Sequence, residues 1–122
     1  MRKLEAIIRP ERLQDVQDAL DDLGVSGLTV SEVMGCGAQR GYTEQYRGSR
    51  VNISLLPKLK VESIVPGDLV EKAVDAIVAA AYTGEIGDGR VFVSPVDESV
   101  RIRTGERGEE TVRHERPVGW GY

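Results

Sequence analysis

Two short segments in the second half of the chain combine glycine or arginine at spacings that suit anion binding. Segment 83–90 reads Thr-Gly-Glu-Ile-Gly-Asp-Gly-Arg, and its glycines let the backbone approach a ligand and expose N–H groups. In Arg101-Ile102-Arg103, the period of two in a strand would place both guanidinium groups on one face. Neighbouring arginines repel unless an anion lies between them, and guanidinium pairs bidentately with phosphate. Each segment alone is typical of an ordinary turn or a solvated strand, but together they predict a polyphosphate site.

Side chains suited to catalysis are scarce near these segments. The chain has a single histidine, His114, and a single cysteine, Cys36, which excludes a histidine metal site, a cysteine-only metal cage and an internal disulfide. The pattern of a phosphate-binding P-loop is absent. Asp88 is the obvious candidate general base, so the enzyme alternative is a small phosphohydrolase, or slow ATP hydrolysis as a side activity. We expect a regulatory binding protein without catalytic residues rather than an enzyme.

Composition limits the class of protein further. With 122 residues, of which 40% are hydrophobic and 30% charged, the chain suits one globular domain whose thin stability margin favours an oligomer. Only 5% of the residues are aromatic and the formal charge is −4, so no nucleic-acid partner is expected. No apolar run approaches the roughly 18 residues that span a bilayer, and the first residues lack the pattern of a signal peptide. A cytoplasmic location is therefore expected.

One strand–helix unit occurs twice in the chain. Segment 4–8 is typical of a strand, Pro10 suits the start of a helix, and Gly24 suits a left-handed cap at its end. The unit returns 57 residues later, as the match of Asp18 with Asp75 shows, with a strand over 61–65 and a second helix. The predicted buried faces are Leu13, Val16, Ala19, Leu20 and Leu23 in the first helix and Val70, Ala73, Val74, Ile77 and Val78 in the second.

Each unit continues into a further strand. Segments 28–33 and 90–94 follow the two helices, and both are rich in β-branched residues. Asp68 and Glu71 predict an N-cap and a capping box at the second helix. The order β-α-β-β-α-β predicts an α+β fold, a ferredoxin-like sandwich of two helices on one antiparallel sheet. Because that fold serves many functions, the function must be inferred from its sites.

The link between the second and third strands is much longer than the fold requires. A simple hairpin needs about two to five residues, whereas this link runs over about 37–54 and is polar and punctuated by glycine. Long loops in compact domains are usually functional or disordered. The composition favours a loop that orders on contact with a partner, with a solvent-exposed extended hairpin as the alternative.

Several of these segments together resemble the PII family of nitrogen-regulatory signal transduction proteins. The likeness covers about residues 3 to 108 in order, and the link over 37–54 is similar to the family's T-loop. The resemblance implies a homotrimer, a PII signalling domain over 1–108, and a separate C-terminal tail over 109–122. The segments that carry it are 27–33, 41–48, 56–60, 83–92 and 100–106.

By position, the resemblance also assigns ligand residues. The residues implied for ATP or ADP, in clefts between subunits, are Thr29, Gly35, Gly37, Ile64, Gly87, Gly89, Arg90, Arg101 and Arg103. The residues implied for 2-oxoglutarate are Gln39, Lys58 and Arg9, with Gln39 also on Mg²⁺. A hard cation bridges phosphate and keto-acid oxygens, and a basic side chain meets the remaining carboxylate. Because Gln39 begins the T-loop, occupancy of the site is expected to reset the loop.

The T-loop also carries the residues implied for partner binding, namely Tyr46, Arg47 and Ser49. Arg47 stands where family members plug the pore of ammonium channels. The expected partner is therefore a membrane transporter of that kind or an enzyme of nitrogen metabolism, with recruitment to the membrane left open. Val51 occupies the position where many bacterial members carry a modified tyrosine, which excludes that modification, and Ser49 is expected to stay unmodified. The tail is expected to fray, with docking on a neighbour as the alternative.

The sequence leaves two further points open, the nucleotide preference and the identity of the small anion. Arg90 replaces the family's usual lysine, which leaves the preference between ATP and ADP undecided. A PII-like sensor of nucleotide and another small anion, regulating a different transporter or enzyme, is the alternative function. Gln39 and Lys58 argue against it, because a relative that had lost 2-oxoglutarate would have no reason to keep both residues.

Overall fold

A computed structural model describes residues 1–25, 27–35, 44–46, 49–51 and 55–113. Its helices and strands, in chain order, are β1 (Arg2–Ile8), α1 (Leu13–Asp22), β2 (Thr29–Gly35), β3 (Glu44–Tyr46), β4 (Ser49–Val51), β5 (Leu56–Val65), α2 (Val70–Ala81) and β6 (Arg90–Pro95). In the parts that the structure describes, no helix is both long and apolar enough to cross a membrane.

Four of the strands form one sheet in the order β2-β5-β1-β6, and every neighbouring pair is antiparallel. With both helices added, this is the predicted ferredoxin-like α+β sandwich. The predicted strand over 61–65 is the second half of the ten-residue strand β5. Inside the predicted T-loop, β3 and β4 pair as a short two-stranded ribbon.

The core lies between the two helices and one face of the sheet. Along β1, burial alternates, so that every second side chain points into the core. The fully buried apolar residues include Leu4, Ala6, Ile8, Val16, Leu20, Val61, Val65, Ala73 and Ile77. These confirm the predicted period of each helix, and Leu13, Leu23, Val70 and Val74 pack partly buried against them.

One predicted core residue is exposed. Val78 of α2 is 53% exposed, so its assignment to the buried face is wrong. It borders a cavity of about 320 Å³ that lies between α2 and strands β1 and β6. Because α2 lies over the edge of the sheet there, the apolar stripe of the helix is wider than the sheet surface that covers it.

The opposite face of the sheet, which we call the open face, carries polar and partly exposed side chains. Lys3, Glu5 and Ile7 of β1 lie on it, each offset by one residue from the core positions. Directly opposite strand partners share a face, so Glu62 and Ile64 of β5 lie there too. The predicted ligand residues lie at the two ends of the open face.

The two helices begin alike. Each follows a single 3₁₀ turn, Pro10–Arg12 before α1 and Gly67–Leu69 before α2, with no side-chain cap. The predicted cap by Asp68 is therefore wrong, because its carboxylate accepts a hydrogen bond from Arg113 at 3.0 Å instead. At the end of α1, Gly24 adopts φ +83, as the predicted left-handed cap requires.

Candidate functional site

The glycine loop after α2, residues 83–89, is organised around one carboxylate. Asp88 Oδ2 accepts the backbone N–H groups of Thr83 at 2.7 Å and Gly84 at 2.8 Å. Asp88 Oδ1 accepts Arg9 Nε at 3.0 Å and the hydroxyl of Thr83. The loop is thus held in one conformation by a side chain from its own far end.

This arrangement decides the chemistry of Asp88. The hydroxyl of Thr83 first, and then the Thr83 N–H, the Arg9 guanidinium and the Gly84 N–H, hold the pKa of this carboxyl far below its usual range. A carboxylate so stabilised is a weak base, and its oxygens already serve four donors. Asp88 is therefore a structural acceptor, which removes the candidate general base of the enzyme alternative.

Two basic side chains predicted for 2-oxoglutarate meet at this loop. Arg9 Nη2 donates to the carbonyl of Ile86 at 2.9 Å, and Lys58 Nζ donates to the carbonyl of Gly87 at 2.5 Å. Lys58 is buried, being only 7% exposed. Burial lowers the pKa of Lys58, the positive charge of Arg9 lowers it further, and Asp88 offsets part of both effects. Arg9 and Lys58 therefore repel each other, and the carboxylates of Asp88 and Glu11 offset part of this repulsion.

Glycine is required at position 89 because the backbone packs closely there, and not because a ligand approaches it. Its φ is +105, and a Cβ built on it would lie 1.7 Å from the carbonyl oxygen of Ile7. The loop therefore packs directly on the backbone of β1, and this contact fixes the start of β6. Gly87, with φ +103, keeps the left-handed freedom on which the predicted N–H contacts depend.

We call the predicted ligand residues at this end of the open face the loop-side cluster, which comprises Arg9, Gly35, Lys58, Gly87, Gly89 and Arg90. Gly35 belongs to it because a Cβ on Gly35 would lie 3.8 Å from Lys58 Cγ. Arg90 belongs to it because it pairs directly with Ile7 at the start of β6. Six of the predicted residues are thus brought together by the ends of β1, β2 and β5, the glycine loop and the start of β6.

The remaining described nucleotide residues lie at the other end. Thr29 begins β2 and is paired with Glu62, whereas Gly35 ends the same strand. Six strand residues at about 3.3 Å each separate the two ends by about 20 Å. Ile64 pairs with Lys3 on this far side, and Arg101 follows β6 there. We call Thr29, Ile64, Arg101 and Arg103 the tail-side cluster.

The predicted common strand face of Arg101 and Arg103 is wrong. Residues 102–104 form a turn, bounded by a bridge between Val100 and Arg107. Backbone bonds from Gly105 N to Arg101 O (2.8 Å) and from Arg101 N to Glu106 O (2.9 Å) close it. Glycine at 105, with φ +77, permits this reversal where a strand was expected. Arg103 is exposed at the turn.

The guanidinium of Arg101 is engaged within its own chain. Its Nη1 lies 2.8 Å from Glu106 Oε1, and its Nη2 lies 3.4 Å from the carbonyl oxygens of Glu110 and Thr111. No motif in the sequence indicated these contacts, because they depend on how the chain turns back after β6. The role of Asp88 as the common acceptor of the glycine loop was also not predicted, although an aspartate after glycines and a threonine is a common acceptor of loop N–H groups.

Several predicted residues lie outside the described part of the chain, namely Gly37, Gln39 and Arg47. The other two residues predicted for partner binding, Tyr46 and Ser49, are direct partners in the β3–β4 ribbon. The magnesium ligand and the start of the T-loop therefore remain predictions.

Fold and site together define a ferredoxin-like domain with a cation-rich glycine loop and a second basic cluster at the far end of its sheet. The family model described as nitrogen regulatory protein P-II matches residues 1–106. The chain belongs to this family, which confirms the predicted resemblance.

Similar proteins agree with this assignment. Nitrogen regulatory protein P-II from Azospirillum brasilense is 51% identical over 112 residues, which cover 92% of this chain and all of the relative. The protein of the same name from Microchaete diplosiphon is 56% identical over the same coverage. A crystal structure of Arabidopsis thaliana PII bound to citrate superposes with a TM-score of 0.74 at 43% identity and covers 89% of each chain. These relatives are named as regulatory proteins, in agreement with the expectation of a regulatory binding protein.

Proposed function

We propose that this chain is a PII signalling subunit that binds ATP or ADP and 2-oxoglutarate in clefts between the subunits of a homotrimer. Through the T-loop over 37–54, it would then regulate targets in nitrogen metabolism. One observation carries the proposal: the predicted nucleotide residues fall into two clusters about 20 Å apart on one chain. Neither cluster alone surrounds a nucleotide, so a complete site needs the loop-side cluster of one subunit and the tail-side cluster of another.

The charges of the two clusters suit the two kinds of ligand. Guanidinium and ammonium groups of Arg9 and Lys58 meet under the glycine loop, where a small carboxylate would relieve their mutual repulsion. Arg101 and Arg90 supply planar donors for phosphate oxygens. Gln39, which would hold Mg²⁺, lies outside the described residues. The metal is therefore proposed from the family resemblance, and would neutralise phosphate charge and bridge it to the keto acid.

Titration calorimetry of 2-oxoglutarate tests the proposal, with Mg-ATP, with Mg-ADP and without nucleotide. The expected result is binding that depends on Mg-ATP. Binding of nucleotide without any heat from 2-oxoglutarate would remove the keto acid from the proposal. Absence of nucleotide binding would overturn the proposal as a whole.

Mixed oligomers test whether the clefts lie between subunits. Lys58→Ala disables the loop-side cluster and Arg101→Ala disables the tail-side cluster, so either variant alone is expected to lose binding of 2-oxoglutarate with Mg-ATP at every cleft. In oligomers refolded from an equal mixture, about a quarter of the clefts should combine an intact half from each parent. Recovery of about a quarter of the binding capacity for 2-oxoglutarate, measured with Mg-ATP, is expected. No recovery, in oligomers shown by mass spectrometry to be mixed, would place each site within one chain.

The T-loop is the proposed contact with a partner, through Tyr46, Arg47 and Ser49. The partner would be a membrane transporter of the ammonium-channel type or an enzyme of nitrogen metabolism, with the protein working in the cytoplasm. Co-sedimentation with vesicles that contain a purified ammonium channel, with Mg-ADP and then with Mg-ATP and 2-oxoglutarate, tests the first choice. Binding that responds to the effectors, and is lost in Arg47→Ala, is the expected outcome.

The citrate in the Arabidopsis structure favours keeping one alternative. Citrate is a small polycarboxylate, and the same two cations could serve such an anion in place of 2-oxoglutarate. A competition titration in which citrate displaces 2-oxoglutarate from the Mg-ATP complex compares the two. Tighter binding of citrate would favour a sensor of nucleotide and another small anion.

A further inference from the structure

The chain after β6 folds back, and its own acceptors contact Arg101, a residue that the proposed function assigns to nucleotide binding. Residues 98–113 run from the end of the sheet to the start of α2, and Arg101 lies near their middle. Both terminal nitrogens of its guanidinium have acceptors from this same segment. The nearest is the carboxylate of Glu106, at 2.8 Å from Nη1.

The Glu106 carboxylate is held in place for this contact. Its Oε1 lies 3.1 Å from the hydroxyl of Thr104, which also accepts the backbone N–H of Glu106 at 3.1 Å. Together with the two backbone bonds that close the turn over 102–104, these contacts give the carboxylate a defined position beside Arg101. Glu106 Oε1 takes a donor of Nη1, so a phosphate oxygen that pairs with this donor must displace the carboxylate.

The rest of the segment is anchored to the domain. Glu109 Oε2 accepts the backbone N–H of Gly67 at 2.9 Å, and this bond first of all lowers the pKa of the Glu109 carboxyl. Arg113 Nη2 lies 3.0 Å from Asp68 Oδ1, at the 3₁₀ turn before α2. These bonds hold the 3₁₀ turn 109–112, whose carbonyl oxygens at Glu110 and Thr111 face Arg101. The first residues of the predicted tail are therefore docked on the domain.

We propose that Glu106 is an affinity-determining residue, an internal competitor that occupies Arg101 until a nucleotide polyphosphate displaces it. The inference rests on the proposed function, because it takes Arg101 to be a phosphate ligand. The pair is exposed, with 38% of the Arg101 side chain and 57% of the Glu106 side chain accessible, so water and salt weaken it. A polyphosphate with several charges can displace such a competitor, whereas a singly charged anion competes poorly.

The chain supplies a matched control for the charge itself. Glu98 lies in the same segment, is 50% exposed and pairs with Arg107 at 3.2 Å rather than with Arg101. Glu98→Gln and Glu106→Gln therefore remove the same charge from the same segment. Only Glu106→Gln removes the charged partner of Arg101, while the carbonyl oxygens of Glu110 and Thr111 stay beside Nη2.

Nucleotide affinity of the purified full chain, measured by titration calorimetry with Mg-ATP and Mg-ADP, tests the inference. Glu106→Gln is expected to tighten binding about two- to fivefold, which is the range that an exposed ion pair can contribute. Glu98→Gln is expected to stay close to the parent. The advantage of Glu106→Gln should shrink as NaCl is raised, because screening already weakens the competitor. Thermal melting confirms that each variant is folded.

Each other outcome counts against the inference. Parent-like or weaker affinity in Glu106→Gln would show that Glu106 does not compete and supports the site instead. Equal gains in Glu106→Gln and Glu98→Gln would reduce the effect to net charge. If neither the parent nor Glu106→Gln binds nucleotide, the proposed function fails and the inference fails with it. Nucleotide binding that Glu106→Gln leaves unchanged overturns the inference alone.

Discussion

Glu5 of β1 and Glu62 of β5 are direct partners across the two central strands of the sheet, and both lie on the open face. Glu62 is also the counterpart of Glu5 in the second strand–helix unit, 57 residues later. Two like charges face each other here because the repeat pairs with itself. Lys3 bridges them, with Nζ at 3.1 Å from Glu62 and 3.6 Å from Glu5.

Removal of this bridge should destabilise the sheet. The hydrogen bond to Glu62 first, and then its charge, raise the pKa of Lys3. In Lys3→Gln the two carboxylates repel without compensation, so a small fall in the urea midpoint is expected. Adding Glu5→Gln to that variant should recover the midpoint. Lys72→Gln, which removes an exposed lysine of α2, is the control, and an equal fall there would attribute the effect to net charge.

Asp88 should account for part of the acid sensitivity of the protein. Its pKa lies far below the ordinary value in the folded state, so its contribution to stability is present above about pH 4 and is lost as the pH falls through the folded pKa. Asp88→Asn removes the Arg9 ion pair and presents N–H groups where two backbone donors point. We expect lower stability at pH 7 and a weaker dependence of stability on pH below about pH 4. Urea titrations from pH 7 to pH 2 measure both, and an unchanged slope in the variant would contradict the role of Asp88 as the common acceptor of the glycine loop.

Lys58 should set an alkaline limit on effector binding. Burial and Arg9 lower its pKa, so it loses its charge at a lower pH than an ordinary lysine does. Affinity for 2-oxoglutarate with Mg-ATP should therefore fall as the pH rises through this lowered pKa. Lys58→Arg keeps the charge throughout, and its affinity should decline later with pH. Parallel pH profiles for parent and variant, measured by calorimetry at constant ionic strength, would contradict the assignment.

Gly89 should tolerate no side chain. In Gly89→Ala the new Cβ meets the carbonyl oxygen of Ile7 at 1.7 Å, so β1 or the glycine loop must move. Gly24→Ala provides the control, since Gly24 also has positive φ but no atom lies within 4 Å of the position that its Cβ would take. We expect Gly24→Ala to cost about 1 kcal/mol of folding free energy through its backbone alone, and Gly89→Ala to cost clearly more. Similar losses in urea titrations would show that the contact with Ile7 is relieved easily.

The fold could be predicted because its signals are local and repeated. The spacing of Leu4, Val16 and Leu20, and of Val61 and Ile77 in the second unit, reflects burial in strands and helices whatever the rest of the chain does. The docking partners could not be predicted in this way. Asp68 is a good N-cap by residue type, but Arg113, 45 positions later in the chain, pairs with its carboxylate.

The candidate site shows the same division. Residue types indicated the glycine loop, the family resemblance added Arg9 and Lys58, and the structure brings both cations to the loop. The alternation rule failed for Arg101 and Arg103, because it assumes an extended backbone and the chain turns at Gly105. Whether a pair of arginines shares a face depends on backbone closure, which Glu106 helps to establish through contacts that no short pattern reveals.

The two 3₁₀ turns, Pro10–Arg12 and Gly67–Leu69, are equivalent corners of the repeated unit and stand at opposite ends of the antiparallel pair β1 and β5. The corner beside Arg9 faces the glycine loop, and the corner beside Gly67 receives Glu109. The repeated unit thus uses the same kind of corner for two different tasks. Grafting the residues of one corner onto the other is a direct way to ask whether each task depends on the corner's own residues or on the segment that contacts it.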